Sequence, residues 1–187
     1  MGDPKAKNTE QERAVAALGD RNLVLTGFMG TGKSTVGRVL ADVLRWQFVD
    51  TDDLIEEMAG APIAELFAAR GEEAFRDLET EVAGGLGELH HCVIATGGGF
   101  VLRPENSRAA ERAGVLVLLM ATPEQIWHRV KDSKHRPLLA AEDPQTKIKE
   151  LLKQRQPAYD AVKLKIDTNA KTPQAIASDV LGAIARL

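Results

Sequence analysis

One short stretch of this chain combines the residue types that bind nucleotide phosphates. Gly27–Ser34 matches the pattern G-x-x-x-x-G-K-[S/T] at every defined position. In such a loop the glycines let backbone N–H groups wrap a phosphate, and the following helix N-terminus adds positive potential. Lys33 can then reach the β- and γ-phosphates, and Ser34 can bind Mg²⁺. The stretch therefore predicts a nucleoside triphosphate site, although it does not identify the group that receives the phosphate.

Two further groups of residues follow apolar stretches and could face the same ligand. Asp50 and Asp52 follow the short run Gln47–Val49, and the triplet Gly97–Gly99 follows a later apolar run. Ligands of open parallel α/β sheets gather at the carboxyl ends of the strands. The aspartates could hold Mg²⁺ and substrate or cap the next helix, and we expect Asp53 to be the cap. The glycines could bring backbone N–H groups to a ligand oxygen or form a flexible connection.

Three arginines could bind anions if folding brought them together. Arg76 lies in a helical stretch, Arg136 in the charged, proline-containing segment 131–144, and Arg155 in a later helical stretch. Guanidinium groups bind carboxylates and phosphates through two parallel hydrogen bonds. Segment 131–144 is typical of a mobile lid over an active site, although a solvated loop would have the same composition. Sequence spacing alone does not show whether the three side chains converge.

Apolar runs alternate with helical patterns, which predicts a parallel α/β sheet with helices on both faces. Thr122 and Thr172, each followed by proline, predict helix N-termini. Residues 1–20 form a polar extension, partly disordered, in which Glu10–Leu18 predicts a short helix. No linker or repeat divides residues 21–187, so we expect one domain there. The predicted strands are 22–26, 47–49, 91–95, 115–120 and 162–166.

Composition limits the classes of function. The chain has 187 residues, 44% hydrophobic and 27% charged, as expected for one ordinary globular domain. Its net charge of −3 gives no reason to expect a nucleic acid partner. The apolar runs are too short to predict a membrane span. Cys92 is the only cysteine, which excludes an intramolecular disulfide and favours the cytoplasm. Without a heptad seam, we expect a monomer.

Taken in order along the chain, these residues resemble the shikimate kinase family from about Leu23 to Ile184. The phosphate loop is shared by many NTPases, whereas the other motifs, in this order, are far more specific. The six motifs that carry the resemblance are Gly27–Ser34, Asp50–Asp52, Phe75–Glu79, Gly97–Gly99, Arg136–Leu139 and Arg155–Tyr159.

The resemblance implies a P-loop fold like that of the nucleoside monophosphate kinases. This fold is a three-layer α/β/α arrangement around a five-stranded parallel sheet in the order 2-3-1-4-5. It would carry a mobile lid at about 131–144 and a substrate-binding segment at about 52–86. The implied activity is MgATP-dependent phosphorylation of the shikimate 3-hydroxyl, a step toward chorismate and the aromatic amino acids.

The resemblance also implies roles for individual residues. Arg129 is similar in position to an arginine that stacks on adenine, and Asp167–Asn169 resembles the loop that flanks the base. Ser34 and Asp50 would bind Mg²⁺, Asp50 through water. The implied catalytic residues are Lys33, Asp52, which could accept the hydroxyl proton, and Arg136. The implied ATP contacts are Gly30, Thr31, Gly32, Lys33, Ser34, Thr35, Arg129 and Arg136. The implied shikimate contacts are Asp52, Arg76, Gly97, Gly98, Gly99 and Arg155, with the two arginines binding the carboxylate.

Two alternatives remain open. Another small-molecule kinase of the same fold, such as a gluconate kinase, would share the phosphate loop. It would have no reason to carry Arg76, the glycine triplet and Arg155 in this order. A nucleotide-binding switch without turnover is the second alternative. The residues whose retention argues against such a degenerate site are Lys33, Ser34, Asp50, Asp52 and Arg136.

Overall fold

The structure, a computed structural model, describes residues 4–131 and 143–187, with side chains from Glu10 onward in the first helix. Within these residues, five parallel strands form one sheet in the order β2-β3-β1-β4-β5. This confirms the predicted strand order, and the strand bounds differ from the predicted ones only at their ends. The strands are β1 (Asn22–Thr26), β2 (Gln47–Asp50), β3 (Cys92–Ala95), β4 (Gly114–Met120) and β5 (Leu164–Asp167).

Helices connect the strands, as the alternating pattern predicts. Thr122 and Thr172 are helix N-caps, because their hydroxyl oxygens accept hydrogen bonds from Gln125 N at 3.3 Å and Ala175 N at 3.2 Å. Short 3₁₀ helices cover Leu86–Glu88 and Phe100–Leu102. The α-helices are α1 (Pro4–Leu18), α2 (Lys33–Leu44), α3 (Thr51–Ala59), α4 (Ile63–Gly85), α5 (Pro104–Ala113), α6 (Pro123–Val130), α7 (Pro144–Ala161) and α8 (Pro173–Ile184).

The sheet is covered on both faces, which confirms the three-layer arrangement. Successive side chains of a strand point to opposite faces, and β1 divides accordingly between two apolar clusters. Leu23 and Leu25 pack in a cluster with residues of α1, α2 and α8. Val24 packs in a second cluster with residues of α4, α5, α6 and α7. In the part of the chain that the structure describes, no helix has the length and apolar character needed to cross a bilayer.

The N-terminal extension contributes to the core. The predicted helix Glu10–Leu18 is longer than expected, since α1 begins at Pro4. Ala14 and Leu18 are fully buried in the cluster that includes α2 and α8. Gln11 Nε2 also donates a hydrogen bond of 2.7 Å to the Val43 carbonyl at the end of α2. This part of the extension is therefore packed against the sheet domain.

The prediction that Asp53 caps a helix is wrong. α3 begins at Thr51, directly after β2, and its N-cap is Asp50. The Asp50 carboxylate accepts a hydrogen bond from Asp52 N at 3.2 Å, whereas Asp53 is exposed in the first turn. The helix begins early because the carboxylate at the end of β2 already satisfies an N–H group of its first turn. The predicted lid lies mostly outside the described residues, as does Arg136.

The strand order determines where the predicted site residues meet. β1 lies between β3 and β4, and β2 lies beyond β3. The phosphate loop follows β1, the glycine triplet follows β3, and Asp50 ends β2. All three therefore lie at the carboxyl ends of adjacent parallel strands, where open α/β sheets bind ligands.

Candidate active site

The phosphate loop joins β1 to the N-terminus of α2. Lys33, the first residue of α2, donates hydrogen bonds from Nζ to the carbonyls of Gly27 at 2.8 Å and Phe28 at 3.2 Å. Thr31 Oγ1 donates to the same Phe28 carbonyl at 2.8 Å. Gly27 has φ of 141°, and a β carbon there would overlap the carbonyl oxygen of Leu119. The loop thus requires glycine at this position and is held closed by the lysine that is predicted to contact phosphate.

The predicted Mg²⁺ ligands lie side by side. Ser34 Oγ donates a hydrogen bond of 2.9 Å to Asp50 Oδ2 at the start of α2. A hydroxyl and a carboxylate are the oxygen ligands that Mg²⁺ prefers, and this ion completes its shell with water and substrate phosphates. No group of three or more acidic, histidine or cysteine side chains among residues 4–131 and 143–187 could hold a metal ion. One hydroxyl and one carboxylate leave most of the coordination shell to water and phosphate oxygens, so this donor set fits an ion that arrives with a nucleotide.

Asp52 is the predicted proton acceptor, and its surroundings shift its titration. Its Oδ1 atom is buried and accepts no hydrogen bond from the described residues. Burial, followed by the nearby charges of Asp50 and Glu79, raises the pKa of Asp52 from 3.8 to about 6, while Lys33 opposes the shift. A carboxylate with this pKa is a better proton acceptor near neutral pH than an ordinary aspartate.

Glu79 is a site residue that the sequence reasoning did not single out. Its side chain is fully buried, and its Oε2 atom accepts a short hydrogen bond from Arg76 Nη1. Arg76 Nη2 also donates to Glu72 Oε1 at 2.9 Å. Burial raises the pKa of the Glu79 carboxyl, and the Arg76 charge opposes this. Glu79 therefore orients the predicted carboxylate-binding arginine. The sequence indicates this role of Glu79 through its position one helical turn after Arg76, within the motif Phe75–Glu79.

The glycine triplet is held by side chains from two helices. Gly97 N donates to Thr51 Oγ1 at 3.2 Å. The Gly98 carbonyl accepts hydrogen bonds from Arg155 Nη1 at 3.1 Å and from the Tyr159 hydroxyl at 2.8 Å. The sequence reasoning assigned no role to Thr51 or Tyr159, although each lies inside a quoted motif. The triplet is therefore an ordered part of the site, which excludes the flexible-connection interpretation.

The structure brings the predicted shikimate contacts together around this triplet. A β carbon on Gly97 would lie 3.0 Å from Asp52 Oδ1, and one on Gly99 would overlap the Arg76 guanidinium. Arg155 is only 7% exposed, and its guanidinium carbon lies 5.2 Å from the centre of the Phe28 ring in the phosphate loop. Two guanidinium groups, one carboxylate and a glycine backbone thus adjoin the phosphate loop.

Arg129 connects the phosphate loop to the opposite end of the site. Its Nη1 donates to the Gly30 carbonyl at 3.1 Å and to Thr168 Oγ1 at 3.0 Å, and its Nη2 donates to the Thr168 carbonyl at 2.6 Å. Partial burial lowers the pKa of Arg129. The arginine and the 167–169 loop are therefore adjacent, as the resemblance implied. Thr35, another predicted nucleotide contact, is exposed in the first turn of α2.

Comparison with known proteins points to one family. A family model described as shikimate kinase matches residues 29–185. A protein of Caldanaerobacter subterraneus subsp. tengcongensis that is named shikimate kinase is 47% identical over 167 residues, which cover 89% of this chain and 98% of that protein.

Solved structures agree with this result. A shikimate kinase from Acinetobacter baumannii, solved in complex with shikimate, superposes with a TM-score of 0.86 at 37% identity. The match covers 92% of this chain and 97% of that one. A gluconokinase from Sinorhizobium meliloti superposes with a TM-score of 0.57 at 19% identity, covering 89% and 93% of the two chains. At that identity the likeness extends to the fold alone.

Proposed function

This chain belongs to the shikimate kinase family, and we propose that its active site is the crevice at the carboxyl ends of β1, β2 and β3. Members of this family are ATP-dependent kinases that phosphorylate shikimate. One observation carries the proposal. Asp52, Arg76 and Arg155 converge around the triplet Gly97–Gly99, next to the phosphate loop. Such a constellation suits an acceptor with one carboxylate and several hydroxyls.

The carboxylate of shikimate would lie between Arg76 and Arg155. Each guanidinium already makes a bond that orients it, to Glu79 for Arg76 and to the Gly98 carbonyl for Arg155. A planar guanidinium carries five N–H donors, so each retains donors for a ligand. The hydroxyls of shikimate would bind Asp52 and the backbone N–H groups of the glycine triplet.

The phosphates of ATP would bind the N-terminus of α2. The backbone from Gly30 to Thr35 and the Lys33 ammonium group would surround them, since helix N-termini favour anions. The guanidinium group of Arg129 would stack on adenine. Its hydrogen bonds lie in the guanidinium plane, so the flat face of the group stays available for stacking. Arg136, from the segment predicted to be a lid, would bind the phosphates when the lid closes.

Phosphoryl transfer then requires mainly alignment and charge neutralisation. The 3-hydroxyl oxygen of shikimate bonds to the γ-phosphorus of ATP, the bond from that phosphorus to the bridging oxygen breaks, and ADP leaves. The hydroxyl proton passes to the Asp52 carboxylate. Lys33 and Arg136 offset charge that develops on the transferring group. Exclusion of water by a closed lid would limit hydrolysis of ATP.

Mg²⁺ would be held by Ser34 and Asp50, Asp50 through water. When bound, the ion would neutralise charge on the β- and γ-phosphates. We further propose that the protein is a monomer of the cytoplasm with its kinase domain in residues 21–187, its lid at about 131–144 and its substrate-binding segment at about 52–86.

A direct test compares acceptors. ADP release from ATP in Mg²⁺-containing buffer is measured with shikimate, quinate or gluconate, and the product is identified by phosphorus NMR. We expect strong stimulation by shikimate and a phosphate ester at its 3-oxygen. Equal stimulation by quinate or gluconate, which also carry a carboxylate, would contradict the assignment of shikimate as the acceptor. Intact ATP binding without stimulation would instead support a nucleotide-binding protein without turnover.

A further inference from the structure

One carbonyl in the site accepts two hydrogen bonds from the same helix. Arg155 and Tyr159 are four residues apart on α7 and therefore lie on the same helix face. The Tyr159 hydroxyl donates to the Gly98 oxygen at 2.8 Å, and Arg155 Nη1 donates to it at 3.1 Å. The shorter bond comes from Tyr159, which lies in the motif Arg155–Tyr159 but has no role in the proposed chemistry.

The Tyr159 ring is buried in the apolar cluster on this face of the sheet, with 6% of the residue exposed. Burial also raises the pKa of the Tyr159 hydroxyl, which therefore stays protonated and able to donate. A phenylalanine would satisfy the packing equally well, and a buried hydroxyl without an acceptor would cost free energy. The hydroxyl is thus buried at a position where its one described acceptor is the Gly98 carbonyl.

Fixing the Gly98 carbonyl also fixes the next amide. The peptide unit is planar and trans, so the Gly99 N–H points away from the side on which the Gly98 oxygen meets α7. Gly97 N is already bonded to Thr51. The N–H groups of Gly98 and Gly99 bond to no residue that the structure describes, and Gly99 lies against the Arg76 guanidinium. These two donors are the amides left for a substrate oxygen.

We propose that Tyr159 is a positioning residue for shikimate, which holds the Gly98–Gly99 peptide in the orientation that presents the Gly99 N–H group to a substrate oxygen. The Tyr159 hydroxyl and Arg155 Nη1 both bind the Gly98 carbonyl. This arrangement keeps the Arg155 guanidinium in a defined orientation while its other donors bind the carboxylate of shikimate. Glycine has no side chain to restrict its backbone, and without the hydroxyl the triplet would populate other conformations. This inference rests on the proposed assignment of the triplet and Arg155 to shikimate.

The test is Tyr159→Phe, which removes the hydroxyl and keeps the ring. We expect the KM for shikimate, and its Kd by calorimetry, to rise about threefold to tenfold, the factor that corresponds to one ordinary hydrogen bond. The KM for ATP should stay within about twofold, because the hydroxyl donates its hydrogen bond to Gly98 and not to the phosphate loop. An unchanged KM for shikimate, or equal increases for both substrates, would overturn the inference.

Two further variants separate the possible failures. Ile148→Val trims a fully buried side chain of the same helix. It should lower the melting temperature without changing the KM for shikimate. A rise in that KM as large as the rise in Tyr159→Phe would show that any loosening of α7 weakens shikimate binding. Arg155→Lys tests the underlying assignment. If it leaves shikimate binding intact, the carboxylate clamp itself is wrong; if it weakens binding while Tyr159→Phe does not, only the role of Tyr159 is overturned.

Discussion

The carboxylates of Asp52 and Glu79 approach the same glycine. A β carbon on Gly97 would lie 3.0 Å from Asp52 Oδ1 and 2.6 Å from Glu79 Oε1. Both oxygens are buried, and neither accepts a hydrogen bond within the described residues. After burial and the charge of Asp50, the negative charge of Glu79 contributes to the raised pKa of Asp52, because like charges disfavour ionisation. The crevice therefore holds negative charge that the fold leaves only partly compensated.

Replacement of Asp52 should stabilise the fold. Its pKa of about 6 lies above the unfolded value of 3.8, so at neutral pH the ionised group destabilises the native state. We expect Asp52→Asn to raise the free energy of unfolding at pH 7.5 by about 1–3 kcal/mol and to abolish most turnover. Urea denaturation measures the first effect. The gain should shrink as the pH falls below about 6 and disappear by about pH 3, where both states carry a protonated carboxyl.

The neighbouring residue offers a matched control for this substitution. Asp53 is exposed in the same helical turn. Asp53→Asn should change the free energy of unfolding by no more than about 0.5 kcal/mol, as is usual at exposed positions. An Asp52→Asn variant that is less stable than the parent protein would contradict the view that this carboxylate is under electrostatic strain.

The same titration should appear in the kinetics. If the ionised Asp52 carboxylate accepts the shikimate proton, kcat/KM for shikimate should fall about tenfold for each pH unit below about 6. Steady-state rates at saturating ATP across the acid range provide the measurement. Residual activity of Asp52→Asn should lack this acid limb. A parent profile that stays flat from pH 7 to pH 5 would remove Asp52 from the role of proton acceptor.

Arg76 should affect one substrate and not the other. Arg76→Lys keeps a positive charge beside the buried Glu79 but loses the planar, two-bond recognition of a carboxylate. We expect the KM for shikimate to rise about tenfold or more, the effect of removing one strong hydrogen bond, with the KM for ATP nearly unchanged. Arg70→Lys, at an exposed position directly before the backbone kink at Gly71 in α4, is the control and should change neither constant. Matched increases for both substrates would argue against the carboxylate clamp.

The N-terminal helix should contribute to stability through its buried face. Leu18 is fully buried, whereas Val15 on the same helix is 37% exposed. Leu18→Ala should lower the free energy of unfolding by about 2–5 kcal/mol, the usual range for a buried leucine. Val15→Ala should cost less than about 1 kcal/mol, since little of its surface is removed from water. Thermal and urea denaturation compare the two. Equal small effects would mean that α1 is not an integral part of the core.

Much of this protein follows from local patterns. The phosphate loop, the strands with their apolar runs and the helix starts at Thr122 and Thr172 are all evident in the sequence. Each of these features depends on residues that are close together in the chain, such as a glycine that permits a turn or a threonine that caps the next N–H groups. The six motifs, taken in their order along the chain, also predicted the strand order and the family, and both predictions are confirmed.

Other features depended on the packing of distant elements. The sequence assigned the cap of α3 to Asp53, but pairing of β2 with β3 extends the strand to Asp50, so the helix begins directly after it with Asp50 as the cap. Glu79 and Tyr159 look like ordinary residues of helical stretches until α4 and α7 bring them to the glycine triplet. The raised pKa of Asp52 depends first on burial, then on Asp50, two residues away in the chain, and on Glu79 from another helix, so local sequence shows only part of its cause. Motifs thus determined which residues could do the chemistry. Only tertiary packing decided their distances and burial, because electrostatic and hydrogen-bonding energies depend on separation in space rather than along the chain.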